Sequence, residues 1–330
     1  MMNTTTLCPW RMQVHHITQE TPDVWTLALI DHDFYRWQAG QFALVRIGNS
    51  DEVRAYTLSS TPGQSRFITL TIRYIEQGKG SGWLTRQVKP GDYVWLSDPQ
   101  GSFSCEQHPA SHYLLLAAGC GITPVMSMAR WLHSHRPETD VHLIYSVRSP
   151  RDVIFAAELQ ALRPWLKLTI IAEQRPEAPM LAGRLSVEIL ARQVPDIAQR
   201  TVMMCGPQPY MDRAESDVRA LGAVQVLREQ FTAAAPVEVE DNGVRYHLSS
   251  ASQQLKSAAF PASWSLLAAM EQHKLPVEAV CRAGVCGCCK TRVVSGDYQT
   301  SSTVGLTEEE IAAGYVLACS CQPAGDIELA

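Results

Sequence analysis

The first hundred residues of the chain alternate short apolar runs with turn-forming residues. Within several runs apolar and polar positions alternate, and Pro62-Gly63 and Pro90-Gly91 interrupt the pattern. Alternation with a period of two, bounded by Gly and Pro, is typical of β-strands. Strands are therefore predicted over residues 25–30, 41–47, 67–75 and 93–96. About six strands at this spacing predict an antiparallel β-barrel with few helices.

The pattern changes at residues 113–118, where a continuous apolar run replaces the alternation. A run of this kind is typical of a buried parallel strand. Helices and strands then alternate. Helices are predicted near residues 124–134, 153–162 and 186–192, and strands over 141–146, 166–172 and 201–205. This order indicates βαβ units, and so an α/β domain with a doubly wound parallel sheet.

An extended acidic segment, residues 232–241, follows and is typical of a linker. The remaining residues begin like a hairpin and contain one predicted helix at about residues 265–273. A multidomain chain is therefore predicted. Its parts are a barrel over residues 1–110, an α/β domain over 111–231, the linker over 232–241 and a small domain over 242–330.

The composition narrows the possible functions. The 330 residues are 46% hydrophobic and 18% charged, with a net charge of −5, which is typical of a globular and mildly acidic protein. Without a block of Lys and Arg, nucleic acid and anionic membranes are poor partners. No run reaches the ~18 apolar residues of a membrane helix, and the first ten residues lack a secretory pattern. We therefore expect a cytoplasmic protein with reduced cysteines.

Six of the ten cysteines crowd the last fifty residues. Four of them follow the spacing C-x4-C-x2-C-x29-C, and they are Cys281, Cys286, Cys289 and Cys319. This spacing is the plant-type ligation of a [2Fe–2S] cluster. Glycine at 284 and 287 suits a loop that must pass close to the sulfides. A zinc knuckle, which favours paired C-x2-C units, and reduced structural thiols are the alternatives. Cys288 and Cys321 lie outside the spacing; they could be thiols that neighbour the cluster or inert small residues, and the inert role is favoured.

With this motif after a barrel and a βαβ domain, the chain resembles a ferredoxin–NADP-reductase-type flavoprotein fused to a plant-type ferredoxin domain. The resemblance covers essentially the whole length and implies FAD in the barrel, NAD in the α/β domain and a [2Fe–2S] cluster in the last domain. In detail the chain is similar to the branch of this family that reduces hybrid-cluster proteins. That similarity implies NADH as the electron donor and a hybrid-cluster protein as the acceptor.

Two segments resemble the flavin motifs of the family. Arg54-Ala55-Tyr56-Thr57 resembles R-x-Y-[ST], which implies that Arg54 neutralises the pyrophosphate, Tyr56 lies against the isoalloxazine and Thr57 bonds flavin N5. The second segment, with Gly80, Ser81 and Gly82, resembles G-x-x-S-x-x-L, where amides at a helix start hold phosphate oxygens. Taken alone, these residues would be an ordinary strand and a capped turn. The intervening Thr71, Ile72 and Arg73 are expected to line the ring or the diphosphate.

The nucleotide motifs lie at the ends of buried strands. Gly119-Cys120-Gly121-Ile122-Thr123-Pro124 follows a strand and opens a helix, and it resembles the family's G-x-G-x-x-P, with Thr123 near the flavin and nicotinamide. Cys205-Gly206-Pro207 resembles the C-G-P beside the nicotinamide, which makes Cys205 and Thr57 the expected catalytic residues. Phe231 resembles the aromatic residue that stacks on the flavin, with a core position as the alternative. Arg148 or Arg151 could hold a 2′-phosphate, pair with Asp152 or face solvent.

The resemblance implies that electrons pass from NADH to FAD, to the cluster and then to an acceptor protein. Docking is expected near the cluster loop, through Arg282, Ala283 and Val285. Two alternatives remain at this point. The chain could be the reductase component of an aromatic-ring or coenzyme-A-thioester oxygenase, or a non-catalytic redox sensor that binds flavin and nucleotide. The sensor would need an output element, and the sequence contains no evident helix-turn-helix or basic patch.

Overall fold

The computed structural model describes residues 7–31, 35–50, 52–229, 231, 243–279, 281–282, 284, 286–303 and 305–330. Over these residues the chain packs as two compact units. The first unit contains residues 7–50 and 56–229 as described, and it holds the α/β domain and the barrel except for the first part of one barrel strand. The second unit contains residues 52–55 with the described residues from 231 onward.

The amino-terminal sheet has six strands in the order β4-β3-β6-β1-β2-β5. An antiparallel bridge between Leu58, just after β4, and Leu70 on β5 joins the two edge strands. The sheet thereby closes into the expected barrel around a core that includes Leu27, Val45 and Val94, all fully buried. The strands are β1 (Trp10–Thr21), β2 (Val24–Ile30), β3 (Phe42–Arg46), β4 (Val53–Thr57), β5 (Phe67–Arg73) and β6 (Tyr93–Leu96). One helix, α1 (Lys79–Arg86), follows β5.

The second sheet is parallel throughout, in the order β10-β9-β8-β7-β11-β12. Its strands are β7 (His112–Ala118), β8 (Asp140–Val147), β9 (Lys167–Ala172), β10 (Leu181–Ala182), β11 (Thr201–Cys205) and β12 (Val226–Glu229). The helices between them are α2 (Ile122–His135), α3 (Ala156–Leu162), α4 (Val187–Gln193) and α5 (Gln208–Ala220). The order reverses between β7 and β11, and the gap outside the carboxyl ends of such strands is where α/β sheets bind ligands.

The last domain is a mixed sheet with short helices. Five strands lie in the order β14-β13-β19-β15-β17, and β16 pairs with β18. The strands are β13 (Arg245–Ser250), β14 (Leu255–Pro261), β15 (Lys290–Ser295), β16 (Tyr298–Thr300), β17 (Tyr315–Leu317), β18 (Cys321–Pro323) and β19 (Ile327–Leu329). The helices are α6 (Leu266–Gln272) and α7 (Glu308–Ala312). A separate core of Leu248, Phe260, Leu266 and their neighbours lies between the sheet and α6.

The predicted fold class, a barrel, a doubly wound α/β domain and an α+β domain, is confirmed. Strands were predicted where apolar residues form clear runs, and the missed strands are those without such runs, for example β12 with its Arg228 and Glu229. The predicted domain boundaries remain predictions. Within the described part of the chain, no helix combines the length and the apolar character required to cross a membrane.

Candidate functional site

The four cysteines predicted as ligands lie together in the second unit. The sulfur atoms of Cys289 and Cys319 are 3.2 Å apart, and Cys281 forms hydrogen bonds with both Cys286 and Cys319. Three of the four are buried, and Cys286 is half-buried. The loop 281–289 supplies three thiols, and the turn after β17 brings the fourth from thirty residues further along the chain. The sequence spacing therefore corresponds to one compact group of sulfur atoms.

The hydrogen bonds among these thiols shift the pKa values of the cysteines. The hydrogen bond shared with Cys319 lowers the pKa of Cys289 to about 7, while the hydrogen bonds to Cys281 and Cys289 raise the pKa of Cys319. Four thiolates in one group fit a two-iron cluster, which divides its four ligands between two metals.

A backbone amide points at the same sulfur atoms. The N–H of Gly284 donates to Cys319 Sγ across 3.1 Å. Gly284 has a φ of +70°, and a Cβ atom placed there would lie 2.9 Å from Ser302 Cβ and 3.0 Å from Ser320 Cβ. Glycine is thus required by the close approach of three chain segments. An amide that donates to sulfur fits a bound cluster, because such hydrogen bonds stabilise the charge on the ligands.

The other residues of the cluster region have separate partners. Arg282, expected to meet an acceptor, forms a bidentate ion pair with Glu271 on α6 and is about half exposed. Cys288 Sγ lies 3.7 Å from the carbonyl oxygen of Cys286. Cys321 is buried on β18, and burial raises the pKa of its thiol to about 12. Ala283 and Val285 lie outside the described residues.

A cavity of about 310 Å³ opens in the first unit at the carboxyl ends of β7, β8 and β9. Its wall includes Gly119, Ser146, Arg148 and Pro207, so both predicted nucleotide motifs contribute to it. Arg151 is exposed on the neighbouring turn and is absent from the described lining. This position, outside the point where the strand order reverses, is the usual dinucleotide site of such sheets.

The two nucleotide motifs touch one another. A Cβ atom on Gly121 would lie 2.0 Å from the carbonyl oxygen of Cys205, so only glycine allows this approach. Thr123 and Pro124 are buried in the first turn of α2, and the Thr123 hydroxyl donates to the carbonyl oxygen of Cys120 across 2.9 Å. Cys205 and Gly206 end β11, and burial raises the pKa of the Cys205 thiol well above its usual value. The two motifs are therefore in direct contact behind the cavity wall that Gly119 and Pro207 line.

Charged side chains of both signs line the cavity. Arg73 lies 3.2 Å from Asp23, and Arg184 lies 3.0 Å from Glu173, just past the end of β9. Asp152 accepts a hydrogen bond from Ser149 across 2.6 Å. Arg73 was expected at the flavin. The structure places it in this cavity, with Nη1 3.2 Å from where a Cβ of Gly119 would be, and its flavin contact stays a prediction.

The flavin-motif residues lie along β4 and β5. Thr57 is buried, and its hydroxyl has no hydrogen-bond partner in the described part of the chain. A buried hydroxyl without a partner is costly, so Thr57 fits a polar ligand such as the predicted flavin N5. Thr71 instead bonds the hydroxyls of Thr26 and Ser59, and Ile72 is buried in the barrel core. These two side chains therefore help to hold the barrel.

The other residues predicted to hold the flavin lie on β4, on α1 and at Phe231. Arg54 pairs with Glu52 across 3.1 Å, Ala55 and Tyr56 are half-buried on the same strand, and Phe231 is half-buried. Gly80, Ser81 and Gly82 form the first turn of α1, and Ser81 Oγ accepts the N–H of Ile75 across 3.1 Å. That bond holds the loop that precedes the helix, and the amides of a helix's first turn are the groups that bind phosphate oxygens.

One residue of this region was missed from the sequence. Glu229 ends β12 directly beside Cys205, and its carboxyl group is buried. Its Oε2 atom has no hydrogen-bond partner among the described residues, and burial raises the pKa of the carboxyl to about 8. The signal available in the sequence was an acidic residue at the end of a short apolar run, which alone does not distinguish a buried carboxyl from an exposed one.

The fold and these sites define a flavin- and nicotinamide-dependent oxidoreductase with an iron–sulfur domain. Residues 13–105 match the family described as oxidoreductase FAD-binding domain, residues 115–216 match oxidoreductase NAD-binding domain, and residues 252–324 match 2Fe-2S iron-sulfur cluster binding domain. The chain belongs to the ferredoxin–NADP-reductase-type flavoproteins that carry a fused 2Fe-2S domain.

The chain is similar to several known proteins over nearly their whole length. The chain is 56% identical to NADH oxidoreductase HCR of Escherichia coli (strain K12), over 99% of both chains. It is 30% identical to the glycine betaine monooxygenase reductase subunit of Pseudomonas aeruginosa (strain UCBPP-PA14), over 94% of this chain and 92% of that protein. Among solved structures, phthalate dioxygenase reductase superposes with a TM-score of 0.66 over 97% of both chains at 23% identity, which supports the fold.

Proposed function

We propose that this chain is an NADH-dependent reductase that delivers electrons one at a time to an acceptor protein through its iron–sulfur domain. Cys281, Cys286, Cys289 and Cys319 would hold the [2Fe–2S] cluster. Thr57, Tyr56 and Arg54 would hold FAD together with the first turn of α1. When bound, the flavin accepts a hydride from the nicotinamide and the cluster carries single electrons, and the protein supplies their binding and orientation.

The observation that carries this proposal is the group of four cysteine thiols, together with the backbone amide of Gly284 that donates a hydrogen bond to Cys319. The sulfur atoms of Cys289 and Cys319 are 3.2 Å apart, and the N–H of Gly284 lies 3.1 Å from Cys319 Sγ. This geometry suits a group of thiolates that share a metal cluster. A thiolate sulfur gains more from such a donor than a neutral thiol does. The orphan hydroxyl of Thr57 supports the flavin half of the proposal independently.

The choice of NADH over NADPH is supported by the charges of the nucleotide cavity. Glu173 lies past the end of β9, where it lines the cavity and already pairs with Arg184. A carboxylate accepts hydrogen bonds from ribose hydroxyls and repels a 2′-phosphate. Arg148 and Arg184 both line the cavity, but Glu173 pairs with Arg184 and neutralises its charge. The cavity therefore attracts a 2′-phosphate less strongly than two unpaired arginines would.

The acceptor that we propose is a hybrid-cluster protein, supported by the 56% identity to NADH oxidoreductase HCR. The iron–sulfur domain from residue 242 carries six basic and eight acidic side chains, so long-range steering by its net charge of −2 is weak. Docking is therefore local. The Arg282–Glu271 pair, exposed beside the cluster loop, is the described feature best placed to contact the acceptor.

A second candidate is the reductase component of an oxygenase. The glycine betaine monooxygenase reductase subunit, 30% identical over nearly the whole chain, supports it. The two candidates share every cofactor and differ only in the acceptor. They are distinguished by anaerobic stopped-flow mixing of the NADH-reduced full-length protein with a hybrid-cluster protein or with an oxygenase component. Fast reduction of the oxygenase and none of the hybrid-cluster protein would decide for the second candidate.

The same instrument tests whether the protein turns over at all. A catalytic reductase reduces ferricyanide continuously at the expense of NADH, whereas a redox sensor would show one stoichiometric bleaching of the flavin and no turnover. Arg282→Glu should slow electron transfer to the acceptor protein and leave ferricyanide reduction unchanged.

A cytoplasmic location is also proposed, supported by the ten free cysteines, which suit a reducing compartment.

A further inference from the structure

Two serine hydroxyls hold the glycine that faces the cluster cysteines. Ser302 Oγ donates to the carbonyl oxygen of Gly284 across 2.6 Å, and Ser320 Oγ donates to the carbonyl oxygen of Ser302 across 3.0 Å. Ser320 Oγ is also 3.1 Å from the carbonyl oxygen of Leu317. The hydroxyls therefore form a relay from the strand that leads to Cys319, through the 301–303 segment, to the cluster loop.

The relay fixes a glycine that would otherwise be free to change conformation. Gly284 has no side chain to limit its backbone angles, and it holds a φ of +70°. Its N–H bonds Cys319 Sγ on one side, and its carbonyl oxygen bonds Ser302 on the other. Because the two bonds lie on either side of one Cα atom, the hydroxyl of Ser302 restrains the direction of the amide that meets the sulfur.

We propose that Ser302, backed by Ser320, is a positioning residue that sets the reduction potential of the iron–sulfur centre through the Gly284 amide. This inference rests on the proposed function, in which Cys319 is a cluster ligand. An N–H donor to a ligand sulfur stabilises negative charge, and the reduced centre carries one negative charge more than the oxidised centre. The hydrogen bond from Gly284 therefore raises the potential, and Ser302 maintains the geometry on which that bond depends.

The test is a spectroelectrochemical titration of the full-length holoprotein, followed by electron paramagnetic resonance of the reduced centre. Ser302→Ala should make the midpoint potential more negative by an amount that corresponds to a three- to tenfold fall in the equilibrium constant for reduction. A tenfold fall is about 59 mV for one electron. Ser302→Thr keeps the hydroxyl and should restore the wild-type value. Hydrogen exchange at the Gly284 amide should be faster in Ser302→Ala than in the wild type or in Ser302→Thr.

Ser301→Ala is the matched control, because its hydroxyl is adjacent but contacts the Ser320 carbonyl oxygen, at 3.4 Å, and not Gly284. An unchanged potential in Ser302→Ala with full iron content would overturn the inference, as would an equal shift in Ser301→Ala. If Ser302→Ala loses iron, Ser320→Ala decides: a negative shift supports the relay and an unchanged potential overturns it. Wild-type protein without two irons per chain would instead refute the proposed function.

Discussion

The hydroxyl of Tyr145 donates a hydrogen bond to the carbonyl oxygen of Gly119 across 3.0 Å, and it joins the middle strand β8 to the nucleotide-binding turn after β7. Tyr145 is fully buried, and the backbone N–H of Ile154 lies 3.4 Å from the same hydroxyl oxygen. The ring therefore connects the turn at Gly119, which has a φ of +54°, to the segment that precedes α3. One core side chain thus fixes the backbone of the cavity floor.

Tyr145→Phe should weaken nucleotide binding without changing the flavin site. The variant keeps the ring and removes only the hydroxyl, so the carbonyl oxygen of Gly119 and the amide of Ile154 lose a buried partner, at a cost of about 1–3 kcal/mol each where no water replaces it. We expect a several-fold rise in KM for NADH with little change in kcat for ferricyanide. Steady-state kinetics measure both. An unchanged KM would show that the turn holds its shape without Tyr145.

The four predicted ligands can be separated from the two other cysteines of the domain by single substitutions. Cys281→Ser, Cys286→Ser, Cys289→Ser and Cys319→Ser should each lose the two-iron spectrum while NADH still reduces the flavin. Cys288→Ser is the matched control in the same loop and should keep two irons per chain, because its sulfur contacts the Cys286 carbonyl oxygen and lies outside the thiol group. Iron analysis and electron paramagnetic resonance report the outcome. Loss of iron in Cys288→Ser with retention in any of the four would contradict the assignment.

Features that depend on neighbours in sequence were predictable, and features that depend on neighbours in space were not. The cysteine spacing and the Gly119–Gly121 turn after a buried strand could be found because short segments form them. The pairing of Arg184 with Glu173 and the burial of Glu229 beside Cys205 bring together separate strands, which no local pattern records. Arg73 illustrates the same limit, since its strand was predicted but the cavity that it lines was not.

Replacement of the cavity carboxylate should change the preference between the two coenzymes. Glu173→Gln removes the negative charge and leaves Arg184 available to a 2′-phosphate. We expect kcat/KM for NADPH to rise by about tenfold or more, which is ~1.4 kcal/mol, while that for NADH falls. Glu177→Gln, a nearby carboxylate that is exposed and absent from the described lining, is the control. If Glu173→Gln leaves the NADH/NADPH ratio as in the wild type, the selectivity must come from another group.

The buried carboxyl of Glu229 predicts a decrease in stability as the pH rises. Its pKa is raised from 4.5 to about 8, so between these values the folded protein retains a proton that the unfolded chain has lost. Stability therefore falls with increasing pH in this window, by up to about 1.4 kcal/mol per pH unit from this one group, and levels off above pH 8. Chemical denaturation of the flavin-free protein from pH 5 to 8 measures this slope. Glu229→Gln, which cannot ionise, should remove it, and an unchanged slope would assign the effect to another group.

Flavin reduction and electron delivery to the acceptor should be separable by truncation of the chain. Among the described residues, the barrel and α/β cores draw on residues between Trp10 and Val226, whereas the core of the last domain draws on residues between Tyr246 and Leu329. Because these cores share no side chain, a protein that ends at Phe231 should fold, bind FAD and reduce ferricyanide with NADH at near the full-length rate. It should fail to reduce its protein acceptor, since the four cysteines of the thiol group are gone.

Residues 52–55 pack with the second unit, so a modest loss of flavin affinity is expected from Arg54, whose strand loses part of its surroundings. Flavin content, ferricyanide reduction and acceptor reduction, measured side by side on both proteins, provide the comparison. Complete loss of FAD on truncation would show that the second unit is part of the flavin site and that the boundary near Phe231 is wrong.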